Sequence, residues 1–526
     1  MPHPLSFLST RAAKAVRGLL DVPDHAPSDY PFAPSDIAAL HRATLAGGAQ
    51  VDEQTWQDLM LPDCLERIAP GARTSLFGRQ WLYRALRRQD GRERGLYADA
   101  RALNGDPTER ERQRAALSCL RSADIEVYER IAEDGPPPVL PWARWVPVPP
   151  WLLLVSLASA PWFPVAWLGV FVALVALMWF NVAQHSTIEL ARRRGHALAM
   201  LLRAKVRLDG DKEAAALNRA LSPGVLDLAP MTKDYREWVL LAKVKHYLRW
   251  RRRVHDNRAV LRAAYNRCAR AEAVLALALY IEGERTCAAQ EGELQLDAVR
   301  HPLLAAGLPV SLALHGKGMF ISGRNGEGKS TLLRTVGLNV ALARGLGFCH
   351  ADAARVPALP VYASLRNDDS LLDGESLYVA ELRRARELLA APAGLYLIDE
   401  IFRGTNHLDS VSSAAAVLNE LAARGPVLVS SHNVILAALM RHRLDAVCVE
   451  RGRDTVELRP GVLTETNGVP LLGAAGLGGA VLANAQRVQG WLARYLADPA
   501  EAERVLAPPA QPLASTPLTA APAAPA

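Results

Sequence analysis

The residues best suited to chemistry lie in the stretch ISGRNGEGKSTLLR, residues 321–334. Gly323, Gly328, Lys329 and Ser330 satisfy the pattern G-x-x-x-x-G-K-[ST], between the short apolar run MFIS and a predicted helix. Glycines let backbone N–H groups curl around phosphates, the lysine can reach the β- and γ-phosphates, and a helix N-terminus favours anions. This pattern predicts a nucleotide-phosphate loop in which the Ser330 hydroxyl ligates Mg²⁺.

Two further apolar runs end in side chains that could act on a bound nucleotide. GLYLIDE ends in Asp399 and Glu400, and GPVLVSSH ends in His432. We expect Asp399 to bind Mg²⁺, Glu400 to polarise the attacking water and His432 to sense or stabilise the γ-phosphate. A surface acidic pair is usually only solvated, and a lone histidine is more often structural. Their placement at the ends of predicted strands favours catalytic roles.

The surrounding sequence indicates how these residues are positioned. After Arg300, short apolar strands alternate with helices and glycine-rich turns, which is typical of a parallel α/β sheet. We therefore predict an α/β P-loop ATPase domain of the ABC type, with a mostly parallel sheet, preceded by an all-helical region. The predicted organisation is an N-terminal segment at 1–50, helical regions at 51–144 and 185–299, an apolar hairpin at 145–184, the ATPase domain at 300–497 and a disordered Pro/Ala tail at 498–526.

Residues 145–184 contain no Asp, Glu, Lys or Arg. A bilayer span needs about 20 apolar residues; residues 163–183 meet this requirement, whereas 146–161 are short and contain prolines. Basic residues on both flanks favour a transmembrane hairpin with both ends in the cytoplasm. A single span with an interfacial segment, or a buried hairpin of a soluble protein, are the alternatives. We predict a lipid bilayer as a partner, with the protein at the inner (cytoplasmic) membrane and its ATPase domain in the cytoplasm.

The composition sets wider limits on the chain. Its 526 residues suffice for two to four domains, and a formal net charge of +7 is weak evidence for a nucleic-acid partner. The helical region 185–299 does contain a basic stretch with Tyr247 and Trp250 interleaved. This stretch could contact DNA phosphates, form a solvated face, or lie on anionic lipid headgroups. The candidate DNA contacts are Lys243, Lys245, Arg249, Arg251, Arg252 and Arg253.

One more stretch decides between classes of ATPase. NDDSLLDGESLYVAEL resembles the D-D-x-x-x-G-x-S-x-F-x-x-E segment of the MutS family of DNA mismatch-repair ATPases, with one extra residue before Gly374 and with Tyr378 in place of Phe. GRNGEGKST is similar to the family's G-P-N-M-G-G-K-S-T, with Arg324 and Glu327 as departures. LIDEIFRGTNHLDS, SSHN and RPGVLTETNGVPLLGAAGL are similar to further family segments, the last followed by a helix used in dimer contact. The resemblance covers nearly all of residues 300–485.

The resemblance implies a homodimer formed through the ATPase domains, with ATP and Mg²⁺ bound and double-stranded DNA as a partner. Ser376 of one subunit would cap the γ-phosphate held by the loop of the other. The nucleotide ligands are then Gly323, Asn325, Gly326, Gly328, Lys329, Ser330, Thr331 and Ser376, with Ser330 and Asp399 as metal ligands and Glu400 and His432 as catalytic residues.

The chain lacks the F-x-E motif with which the family reads mismatches. We therefore expect a MutS-like, ATP-hydrolysing and DNA-binding dimer, anchored to the membrane and without mismatch reading. The alternative is an ABC-type membrane-associated ATPase with a transport or membrane-remodelling role and no DNA binding.

Overall fold

The computed structural model describes residues 32–45, 50–123, 125–133, 140–221, 238–365, 377–463, 483 and 485–487. These residues form two compact units. The helical unit contains the described residues of Met1–Gly48, Pro62–Glu284 and Gly345–Gly347, and the sheet unit contains those of Ala49–Leu61, Arg285–Arg344 and Phe348–Ala526. The segment Ala49–Leu61 thus belongs to the sheet unit although it precedes most of the helical unit in sequence.

Helices dominate the chain before the sheet. They are α1 Pro34–Ala43, α2 Glu53–Asp58, α3 Leu61–Ile68, α4 Leu76–Arg88, α5 Gly95–Asn104, α6 Pro107–Leu117, α7 Tyr128–Ala132, α8 Val148–Ser159, α9 Ala166–Ala183, α10 His185–Asp209, α11 Lys212–Leu221, α12 Ala242–Asp256 and α13 Arg258–Ile281, with 3₁₀ turns at Ser118–Ser122 and Pro141–Trp145.

Helix α4 begins at a cap that α13 helps to hold. The Ser75 hydroxyl accepts the N–H of Phe77 at 3.2 Å, as N-cap serines do. From α13, the buried carboxylate of Glu272 accepts the N–H groups of Ser75 at 2.8 Å and Gly78 at 3.0 Å, and also the Ser75 hydroxyl. Burial raises the pKa of Glu272, and these hydrogen bonds oppose that shift. The stretch TSLFG is therefore fixed by a helix almost two hundred residues away in sequence.

The two apolar helices α8 and α9 differ in length. Helix α9 has 18 residues with a mean hydropathy of 2.1, and it is the one described helix long and apolar enough to cross a membrane. Helix α8 has 12 residues, or about 18 Å at the usual rise, against about 30 Å of hydrocarbon. The predicted transmembrane hairpin is therefore not supported, because the described residues contain a single candidate span.

Most of the surface of α9 is open. Val170, Ala173, Leu177 and Phe180 are buried on one face, at the spacing of one helical stripe, and pack in a cluster that includes Leu153 of α8 and Leu241 and Val244 near the start of α12. Most of the remaining apolar side chains of the two helices and of the turn between them are exposed, among them Trp162, Phe163, Val165, Trp167 and Phe171. Only 22% of the candidate span is buried, so α9 differs from a core helix, which is mostly buried.

The sheet unit is built on an 11-stranded sheet in the order β5-β1-β6-β2-β3-β11-β10-β4-β9-β8-β7. The strands are β1 Cys287–Glu291, β2 Gln295–Val299, β3 Val310–Ala313, β4 Gly318–Ser322, β5 Phe348–Cys349, β6 Ala353–Val356, β7 Val361–Ser364, β8 Leu395–Asp399, β9 Val427–Ser430, β10 Leu444–Arg451 and β11 Val456–Pro460. The helices are α14 Lys329–Leu346, α15 Leu377–Ala390, α16 His407–Ala422 and α17 Ile435–Leu439.

Five neighbouring strands, from β10 through β4, β9 and β8 to β7, run parallel. Their apolar side chains form part of the core of the sheet unit, since Phe320, Tyr396 and Ile398 are almost fully buried in one cluster with residues of α15, α16 and α17. The predicted α/β fold with a mostly parallel sheet is thus confirmed.

Helix α2 lies against the last strand in the sheet order. The Thr55 hydroxyl accepts the N–H of Ala363 at 2.9 Å, and the Asp58 carboxylate accepts the N–H of Leu365 at 2.8 Å. Arg384 of α15 donates to the Ala363 carbonyl at 2.5 Å and pairs with Asp52 at 3.1 Å. Side chains of α2 therefore bind backbone N–H groups of β7 and of the residue after it, on the side where the described residues place no further strand.

Candidate nucleotide site

The predicted phosphate loop connects β4 to α14. Gly326 and Gly328 have φ values of 86° and 95°, a region that glycine occupies without steric cost. Lys329 and Ser330 are the first two residues of α14, where backbone N–H groups have no partner within the helix. Asn325, Gly326 and Thr331 are exposed. Strand, glycine-rich turn and helix N-terminus therefore follow one another as an anion site requires.

The Lys329 side chain lies back across its own loop. Its ammonium donates to the carbonyl of Gly323 at 2.9 Å and to that of Arg324 at 3.3 Å, and the residue is 8% exposed. Desolvation lowers the pKa of Lys329, and the charges of Asp399 and Glu400 oppose this shift. The Lys329 ammonium is therefore already largely removed from water in this structure, and the two carboxylates favour its charged form.

Asp399 ends β8, and Ser430 ends the neighbouring β9 directly opposite it. The Ser430 hydroxyl donates to the Asp399 carboxylate. Because β9 lies between β4 and β8, the ends of these three strands bring Asp399 to the same edge as the phosphate loop. Sequence reasoning missed Ser430, whose only signal is its position at the end of an apolar strand.

Glu400 follows β8 in a left-handed backbone conformation, with φ of 53°, and its N–H donates to the Ser430 carbonyl at 2.9 Å. Its carboxylate contacts Nε2 of His432 at 2.9 Å and a guanidinium nitrogen of Arg403 at 3.1 Å. The structure thus joins Glu400 and His432, which were predicted separately. Arg403 lies in the stretch LIDEIFRGTNHLDS, and residue spacing does not predict its contact with Glu400.

Glu327, which departs from the loop sequence of the MutS family, makes a hydrogen bond to a residue outside the loop. Its carboxylate accepts the N–H of Arg451, at the end of β10, at 2.9 Å. This hydrogen bond connects the phosphate loop to the strand on the other side of β4. The Glu327 side chain therefore ties the loop to the sheet.

Two predicted features lie outside the described residues. Ser376 falls in 366–376, together with most of the MutS-like stretch, and the closing stretch with the dimer-contact helix falls largely beyond residue 463. Their predicted roles stay predictions.

The basic stretch forms α12. Lys243, Arg249, Arg252 and Arg253 are exposed, and Lys245 and Arg251 are half-buried. Trp250, by contrast, is buried and packs against Gly195 of α10. The helix therefore presents cations on its surface, but the indole of Trp250 is used in packing.

The sheet unit matches a known family. Residues 319–492 match the family model of MutS domain V. The DNA mismatch repair protein MutS of Thermus aquaticus is 32% identical over 206 residues, which are 37% of this chain and 25% of that protein. MutS of Myxococcus xanthus is 28% identical over 302 residues, 50% of this chain and 33% of that protein. Endonuclease MutS2 of Thermus thermophilus is 35% identical over 167 residues, 30% of this chain and 22% of that protein. The chain therefore spans a third or less of the length of these relatives.

Proposed function

We propose, because this chain belongs to the MutS family through residues 319–492, that its sheet unit is an ATPase that hydrolyses ATP to ADP and phosphate. The observation that carries the proposal is that Asp399, Glu400 and His432, at or just after the ends of neighbouring strands, lie beside the glycine-rich loop and Lys329 at the start of α14.

Mg²⁺ fits the residues at this site. The Ser330 hydroxyl and the Asp399 carboxylate are oxygen donors, which this hard cation prefers, and Ser430 donates a hydrogen bond that orients the carboxylate. When bound with ATP, Mg²⁺ would neutralise charge on the phosphates.

Residues of the chain itself would then bind the phosphates and activate the attacking water. Lys329 exchanges the carbonyls of Gly323 and Arg324 for phosphate oxygens and offsets their charge. Glu400 accepts a hydrogen bond from the attacking water, while His432 and Arg403 fix the direction of its carboxylate.

This assignment is tested by ATP turnover and nucleotide binding measured on the full chain. Glu400→Gln is expected to bind Mg·ATP as tightly as the wild type within about threefold but to lose at least about a hundredfold in turnover, because only the water-polarising group is removed. Lys329→Ala is expected to weaken nucleotide binding itself. Normal turnover by Glu400→Gln would show that Glu400 does not have this role.

The proposed assembly is a homodimer in which two sheet units face each other across ATP. Ser376 of one subunit would reach the γ-phosphate bound by the other. Support comes from the sequence resemblance of the stretch that contains Ser376 and from the position of α15, which begins directly after it.

Double-stranded DNA is the proposed macromolecular partner, bound without mismatch preference. The exposed cations of α12 support phosphate contacts, which carry no sequence information. The chain has no F-x-E motif to insert beside a mismatched base.

We also propose that α9 anchors the protein in the inner (cytoplasmic) membrane, with the sheet unit in the cytoplasm. The open apolar surface of α8 and α9 favours this location. The same surface favours the second candidate function, an ABC-type membrane-associated ATPase that acts in transport or membrane remodelling without DNA.

A further inference from the structure

The carboxylate of Glu381, in the second turn of α15, holds the loop that follows β8. One oxygen accepts the N–H of Arg403 at 3.1 Å and the other accepts the N–H of Gly404 at 3.2 Å. Glu381 is 6% exposed. Because a carboxylate offers two acceptor oxygens in one plane, each N–H group has an oxygen of its own, whereas the amide of a glutamine offers a single acceptor oxygen.

The held loop has an uncommon backbone conformation. Glu400 and Phe402 have φ values of 53° and 58°, which non-glycine residues rarely adopt. Phe402 is fully buried, with its ring 5.9 Å from that of Tyr378 in α15. Gly404 lies so close to α15 that an added Cβ would be 2.6 Å from the Tyr378 nitrogen. Such a conformation persists only where its surroundings fix it, and here α15 supplies those surroundings.

A second buried residue on the same face of α15 also fixes the helix. Arg384, one turn after Glu381, is buried and bonds to the Ala363 carbonyl of β7 and to Asp52 and Thr55 of the segment around α2. The helix that carries Glu381 is therefore itself held in place against β7 and the segment around α2.

We propose that Glu381 is a positioning residue for hydrolysis: by holding the backbone of Arg403 and Gly404, it sets the direction of the Glu400 carboxylate. The path is short, since Glu400 contacts the Arg403 guanidinium at 3.1 Å. This inference rests on the proposed ATPase function. If Glu381 served folding alone, its replacement would lower the amount of folded protein and leave turnover per folded molecule unchanged.

The test compares Glu381→Ala, Glu381→Gln and the control Glu387→Gln in the full chain. Glu387 lies on the same helix but is exposed, and its amide variant can still accept from Arg384. We expect Glu381→Ala to lower kcat at least tenfold with the KM for ATP within threefold of wild type. Glu381→Gln, which keeps one acceptor oxygen, should fall between, and Glu387→Gln should stay within twofold. Thermal unfolding identifies the folded fraction, and the milder Glu381→Gln decides the matter if Glu381→Ala does not fold.

A second measurement separates positioning from general damage. In the Glu400→Gln background, single-turnover hydrolysis should fall less than twofold on adding Glu381→Ala, because the group that Glu381 orients is already absent. A tenfold further loss, or a Glu381→Gln variant within twofold of wild-type kcat, overturns the inference. A wild-type chain that turns over no ATP overturns the proposed function as well, so the two failures are distinct.

Discussion

His301 is a buried histidine of the sheet unit, 6% exposed. Its Nδ1 accepts the N–H of Leu303 at 3.2 Å, a bond that requires this nitrogen to be unprotonated. Burial, with a smaller contribution from the charge of Arg334, lowers the pKa of His301 to about 4. An ordinary histidine has a pKa of about 6.5, so the folded state keeps this ring neutral where the unfolded chain would protonate it.

The sheet unit should therefore lose stability on acidification. Above about pH 6.5 neither state binds the proton, and between about pH 6.5 and 4 only the unfolded state does. The loss from this group is on the order of 2 kcal/mol at pH 5. Denaturant unfolding at pH 7.5 and pH 5 measures it, and His301→Asn, whose amide oxygen can accept from Leu303, should remove that part of the pH dependence. An equal pH dependence in His301→Asn would contradict this assignment.

At this scale, the sequence predicts strand-end residues well and their partners poorly. Asp399, Glu400 and His432 could be identified because each follows an apolar run that must be a buried strand. Ser430 contacts Asp399 because of the strand order, and Arg403 contacts Glu400 because of a left-handed turn. Neither contact can be predicted from residue spacing.

Among the elements, α12 combines exposed cations with a packed apolar face. Trp250 and Val254 are buried, whereas Arg249 and Arg252, three residues apart, are exposed. The interleaved aromatics of the sequence suggested contact with nucleic acid, but for Trp250 the periodicity reflects packing of one helix face.

Replacing Arg249 and Arg252 with Ala should weaken duplex DNA binding and reduce the log–log salt slope by roughly two, since about one counterion is released per phosphate contact. Homoduplex and single-mismatch duplexes should bind within about threefold of each other in both proteins, which is below about 1 kcal/mol. Fluorescence anisotropy across a salt series measures both quantities.

The matched control is Arg101→Ala with Arg114→Ala, two exposed cations of α5 and α6 whose loss lowers the net charge equally. If the control flattens the slope as much, binding is not localised to α12. A tenfold preference for mismatched DNA would overturn the proposal that mismatch reading is absent.

The transmembrane hairpin predicted for residues 145–184 is not supported because α8 is too short to cross a bilayer. An apolar run reports hydrophobicity, whereas a span requires a helix long enough to cross. Prolines at 149 and 150 occupy the start of α8, where they fit, and the 12-residue helix that follows ends before a span is complete. The boundary of the second run was predicted closely, as residues 163–183 against Ala166–Ala183.

For the whole molecule, the exposed apolar face of α9 is the feature on which the proposed membrane anchor depends. Phe171 and Leu174 lie on this face, away from the buried stripe that packs in the helical unit. Changes at these two positions therefore test the proposed anchor and leave the packing of α9 in place.

The full chain should sediment with membranes and resist carbonate extraction. Phe171→Asp with Leu174→Asp should release it to the soluble fraction, because each charge at the centre of a span costs roughly 2.5–3.5 kcal/mol. The control, Phe171→Ala with Leu174→Ala, should remain with the membrane. A wild-type chain found in the soluble fraction would refute the anchor.

The contact between α2 and β7 also has a consequence for association between molecules. A strand at the end of a sheet can pair with a strand of another chain and so begin aggregation. Here the N–H groups of Ala363 and Leu365 are already bonded to Thr55 and Asp58, and the Ala363 carbonyl to Arg384. A foreign strand could add at this edge only after displacing all three side chains, so Thr55 and Asp58 from the amino-terminal part of the chain, together with Arg384, protect the sheet against growth by strand addition.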